Sequence, residues 1–116
     1  MSDFAIYYNP GCSKCRATLA LLRERGIEPR VIEYLQSPPT ADELRRIVAL
    51  LGITPEQLVR KGEQLYKDSY AGKALTDAQW IDAMVANPIL IERPIVVSAR
   101  GAVIARPPAN VERLLA

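Results

Sequence analysis

Two cysteines, Cys12 and Cys15, stand in a single Cys-x-x-Cys directly after the turn-forming Asn9-Pro10-Gly11. Thiol chemistry runs through the thiolate, and an ordinary cysteine with a pKa near ~8.5 is mostly protonated at neutral pH. Residues 4–8 are rich in strand formers and Ser13 to Arg25 in helix formers, so Cys12 falls where a strand ends and a helix begins. Unpaired backbone N–H groups and the positive end of the helix dipole favour an anionic sulfur there, and Lys14 and Arg16 act in the same direction. Cys15, three residues into the helix, shares a stripe with Leu19 and Leu22, and the two sulfurs can come within disulfide reach. The spacing predicts an exposed, attacking Cys12 and a more buried, resolving Cys15. Two blander readings stay open: half of a structural zinc site, and, for Cys15, an ordinary buried apolar residue.

What the composition lacks narrows the chemistry further. The chain has no histidine, which excludes Ser-His-Asp and Cys-His hydrolysis and His-ligated metal sites. Fifteen Lys and Arg against thirteen Asp and Glu give a net charge of +2, too slight a bias to predict nucleic-acid or membrane binding. Eleven of the fifteen cations are Arg, the side chain suited to bidentate contacts with oxyanions, although many will simply be solvated. With both cysteines in one motif there is no framework of structural disulfides, and the apolar run at residues 4–8 is far too short for a signal-peptide core or a membrane span. A cytoplasmic protein without bound cofactor is expected. At 116 residues the chain is one domain's worth, able to bury about two thirds of its unfolded surface.

The elements that must position Cys12 follow from periodicity and punctuation. After the first strand and helix, with Gly26 at the helix end, Arg30 to Tyr34 reads as a second strand reached by a βαβ crossover. Thr40 and Glu43 form a capping box ahead of Leu44, Ile47, Val48 and Leu51, closed by Gly52. Thr54-Pro55 starts a shorter helix through about Val59, and Thr76-Asp77 another bearing Trp80, Ile81, Met84 and Val85. Residues 40–86 are thus a helical insert. Pro94 leads into Ile95-Val96-Val97, turned by Ala99-Arg100-Gly101 into Ala102 to Ala105 as a hairpin, and a last helix is expected from Pro108 or Ala109. This order predicts an α/β fold: a mixed four-stranded sheet flanked by helices, as in the thioredoxin/glutaredoxin-like class, in a single domain over residues 1–116.

Ile6-Tyr7-Tyr8-Asn9-Pro10-Gly11-Cys12-Ser13-Lys14-Cys15-Arg16, Leu58-Val59-Arg60-Lys61 and Asn87-Pro88-Ile89-Leu90-Ile91-Glu92-Arg93-Pro94-Ile95-Val96-Val97 resemble the glutaredoxin-dependent arsenate reductases, the ArsC-like proteins. The resemblance runs over nearly the whole chain. It implies that Cys12 attacks arsenate, that Arg60, Arg93 and Arg106 hold the oxyanion, and that Pro94 is the cis-proline beside the active thiol. It also implies glutathione as thiol co-substrate and glutaredoxin as the partner that restores the enzyme. Without the resemblance, Arg60 could as well complement the end of its short helix and Arg106 be a solvated strand end. Two departures stand out: better-known members have a histidine near the cysteine where this chain offers Tyr8, and they lack a cysteine at the place of Cys15. This chain also ends soon after Leu115, without the C-terminal extension of longer relatives. Two rival activities are compatible with the motif, a general thiol–disulfide oxidoreductase and an Spx-like redox-sensing transcription regulator.

Overall fold

Strand β1 (Ala5–Tyr8) lies inside the sheet, parallel to β2 (Arg30–Glu33) on one side and antiparallel to β3 (Ile95–Ser98) on the other, and β3 pairs with β4 (Gly101–Ile104). These relationships come from a computed structural model that describes residues 3–115. The chain divides into two compact units, one running to Ser37 and resuming at Arg93, the other Pro38–Glu92.

In the first unit the parallel β1–β2 pair requires a crossover, which α1 (Ser13–Glu24) supplies. Gly26, at φ 77, ends that helix in the left-handed conformation: its N–H reaches the Arg23 carbonyl and the Ile27 N–H the Leu22 carbonyl. This double closure is available cheaply only to glycine. The register sets Ile6 opposite Val96, and both join a core with Leu19, Leu22, Val103, Ala105, Val111 and Leu114. The expected terminal helix forms as a 3-10 helix, Pro108–Leu114, and not as an α-helix. Residues three apart eclipse in that geometry, so Val111 and Leu114 both reach the core.

The second unit holds α2 (Ala41–Leu51), α3 (Pro55–Leu58), α4 (Gln64–Ser69) and α5 (Asp77–Ala86), followed by a 3-10 turn, Pro88–Leu90. Capping boxes start α2, α3 and α5: Thr40, Thr54 and Thr76 accept the N–H of Glu43, Gln57 and Gln79, whose side chains accept the threonine N–H in return. Helix α4 carries no start signal and buries none of its residues. Its anchor is aromatic, with Tyr66 stacked 6.3 Å from Trp80 and Tyr70, just past its end, at 5.9 Å. Among the described residues no helix is long and apolar enough to cross a membrane.

Candidate active site

The loop between β1 and α1 is held by short-range hydrogen bonds. The Gly11 N–H donates to Asn9 Oδ1 at 2.9 Å, the Cys12 N–H to the Asn9 carbonyl at 2.9 Å, and Arg16 Nη1 to the Pro10 carbonyl at 2.7 Å. Asn9 thus builds the turn that delivers Cys12 to the N-cap position of α1, with extended backbone at φ −99 and ψ 119.

Both thiols are free, and both are buried. Cys12 is only 5% exposed and Cys15 fully buried, so the expected order holds while the expected exposure of Cys12 does not: its sulfur is roofed by guanidinium groups. Arg106 Nη2 stands 4.0 Å from Cys12 Sγ, and the Arg93 guanidinium hydrogen-bonds the same sulfur. Burial alone would push the Cys12 thiol up. The Cys15 N–H, the Cys15 side chain and Arg93 overcome that and bring it down to about 7. The cations facing the sulfur are therefore Arg93 and Arg106, brought there by the sheet, whereas Lys14 and Arg16 point outward as exposed residues. Tyr8 packs against the core.

Burial pushes the Cys15 thiol up to about 12, helped by the neighbouring Cys12 sulfur and opposed by the Asn9 backbone N–H. The two thiols of one motif are thus shifted in opposite directions, Cys12 down and Cys15 up. Burial also works against the charge of Arg93, but the Cys12 sulfur and the Tyr34 hydroxyl more than offset it and hold the guanidinium above its ordinary pKa.

Positioning of the arginines comes from the start of β3 and the end of β4. The Arg93–Pro94 peptide is cis, and the Arg93 carbonyl accepts Arg106 Nε at 2.6 Å, which ties the two side chains into one assembly. The Arg106–Pro107 peptide is also cis. Behind it, Asn110 Nδ2 donates to the Ile104 and Arg106 carbonyls at 3.2 and 3.1 Å. Asn9 is read from the sequence only as part of a turn, and Tyr34 and Asn110 carry no sequence signal for a role at the site. The one available signal was the repeated Arg-Pro dipeptide at 93–94 and 106–107, which marks two equivalent strand ends.

Arg60 belongs to the helical unit. Its N–H donates to the Leu90 carbonyl at 2.7 Å beside a bridge between Val59 and Ile91. Its guanidinium lies 3.4 Å from Glu63 Oε2 and 3.5 Å from Glu92 Oε1, all three half-buried. Its charge is therefore compensated by carboxylates. Among the described residues no group of three or more His, Cys, Asp or Glu comes together in a way that could hold a metal.

A four-stranded mixed sheet presenting a low-pKa thiol at the start of its first helix defines a thioredoxin-like thiol protein. The chain is 43% identical over 116 residues to the arsenate reductase of Escherichia coli (strain K12), covering 99% of this chain and 82% of that one. It is 48% identical over 108 residues to the uncharacterized Escherichia coli (strain K12) protein YfgD, covering 91% of each. The solved structure of an arsenate reductase from Vibrio cholerae matches with a TM-score of 0.92 and 44% identity over 97% of both chains. The ArsC family model matches residues 7–114, and the chain belongs to the ArsC family.

Proposed function

We propose that this chain is an arsenate reductase in which Cys12 is the nucleophile. The observation that carries the reading is a single sulfur held near pKa 7 at a helix start and faced by two guanidinium groups, Arg93 and Arg106. A thiolate beside fixed N–H forks is a site for an electrophile that is itself an oxyanion, because the forks compensate the charge that the sulfur would otherwise repel. The relatives bearing the name arsenate reductase supply the substrate.

In the first step the Cys12 thiolate forms a sulfur–arsenic bond and a protonated arsenate oxygen leaves as water. In the second, a thiolate attacks the Cys12 sulfur. A disulfide forms, the sulfur–arsenic bond breaks, and its electron pair stays on arsenic, which passes from the pentavalent to the trivalent state. The burial and raised pKa of Cys15 support glutathione as the second thiol, with glutaredoxin then reducing the mixed disulfide in the cytoplasm. Arg93 and Arg106 hold the arsenate oxygens.

The test is a glutathione- and glutaredoxin-coupled arsenate assay. Wild type turns over and Cys12→Ser does not; turnover surviving in Cys12→Ser would end the proposal. A general thiol–disulfide oxidoreductase needs no arginine at this site, so Arg93→Ala with full arsenate turnover would favour that reading.

A further inference from the structure

Strand β4 ends at Ile104, and the chain then runs through Ala105-Arg106-Pro107-Pro108. Two consecutive prolines have no N–H to give, so the carbonyls at the strand end need donors from elsewhere. Asn110 supplies them. Its Nδ2 donates to the Ile104 carbonyl at 3.2 Å and to the Arg106 carbonyl at 3.1 Å, and its backbone N–H donates to the Pro107 carbonyl at 3.0 Å. The partners set the orientation of the amide, since both are acceptors and only its NH2 can donate. The 3-10 helix that carries Asn110 is seated independently: Val111 and Leu114 are buried in the core, and Glu112 pairs at 2.6 Å with Arg25, just past the end of α1. From the clasped backbone, Arg106 reaches the Arg93 carbonyl through Nε at 2.6 Å and stands 4.0 Å from Cys12 Sγ through Nη2.

We propose that Asn110 is a positioning residue for the reaction: it holds the Arg106 backbone so that the guanidinium stays over the Cys12 sulfur, in place for an oxyanion. The inference rests on the reading of Cys12 as nucleophile and Arg106 as a holder of the oxyanion. A long side chain rich in rotamers is aimed only as well as the backbone that carries it. Loss of the amide releases the carbonyls of Ile104 and Arg106, while the buried Val111 and Leu114 and the Glu112–Arg25 pair keep the helix docked. The consequence is a cation that wanders from the sulfur in a protein that is still folded.

The experiment measures how fast Cys12 is alkylated by iodoacetate and by iodoacetamide in the reduced full-length chain, with the modified residue located by peptide mass. Both reagents meet the same thiolate, so the ratio of their rates cancels the thiolate fraction and reads the positive field at the sulfur. Arg106→Gln lowers the iodoacetate-to-iodoacetamide ratio roughly threefold, the weight of one unit charge about 6 Å away in water. Asn110→Leu, similar in shape but without a donor, lowers it roughly twofold, as for a cation displaced rather than removed. Asn110→Gln, which keeps the amide, recovers part of that loss, and in an Arg106→Gln background Asn110→Leu changes the ratio no further. Should Asn110→Leu show no thermal transition, Asn110→Ala carries the same expectations. A wild-type ratio in the folded non-donor variant overturns the proposal even where its thermal transition falls, because that is the mark of a purely structural asparagine. So does a drop in Asn110→Gln as large as in Asn110→Leu, which assigns the effect to packing, or an equal drop in both backgrounds, which takes Arg106 out of the coupling. The ratio needs no arsenate, so a failed substrate assignment leaves this test standing, whereas an Arg106→Gln ratio equal to wild type would overturn this proposal together with the oxyanion site.

Discussion

At Cys12 the balance is between desolvation, which favours the neutral thiol, and a ring of donors that favours the thiolate, and the donors prevail. Because the thiolate is the reactive form, alkylation should climb as pH rises through about 7 and level off above it, falling about tenfold per unit on the acid side. Arg93→Ala removes both a hydrogen bond and a nearby positive charge, so the midpoint moves up. The same change should lower arsenate kcat/KM by roughly 10²–10³, the range for losing one preorganised donor. Lys14→Ala should leave the midpoint where it is, since that side chain is exposed. A shift on Lys14→Ala as large as that on Arg93→Ala would return the activation to the helix's own cations.

At the level of elements, the three Thr-initiated helices were readable because a capping box is purely local: it needs two side chains three residues apart and nothing else. Thr40→Ala at the start of α2 should cost about 1 kcal/mol in urea denaturation, with the site chemistry unaffected in the folded protein. Helix α4 has no local start signal because its stabilisation is not local. Tyr66 and Tyr70 sit four apart with Trp80 as their common contact, and no short window contains all three. Tyr66→Ala should therefore lower stability and change the fluorescence of Trp80, the one tryptophan of the chain; an unchanged emission spectrum would contradict the stacking.

For the whole molecule, the helical segment leaves the sheet unit after Ser37 and returns at Arg93, so both of its ends are tied to the same unit. We propose that the chain behaves as one domain. Trp80 emission, which reports the helical unit, and the accessibility of Cys15, which reports the sheet unit, should then change at the same denaturant concentration. Two separate midpoints would show two independent folding units. Leu22→Ala, in the core of the sheet unit, should lower the common midpoint by the equivalent of about 2–5 kcal/mol. Sequence by itself determined what is decided over a few residues: the strand–turn–helix that carries Cys12, the capped helices, the hairpin, and through the histidine-free composition the need for another means of thiol activation. Only the tertiary structure decided which groups supply it. Arg93 and Arg106 are thirteen residues apart, and Arg106 is 94 from Cys12. They meet the sulfur because β1 lies beside β3 and β3 beside β4. Burial of Cys12, its pKa near 7 and the opposite shift of Cys15 are properties of that convergence, which pattern and spacing cannot express because desolvation and charge act through space and not along the chain.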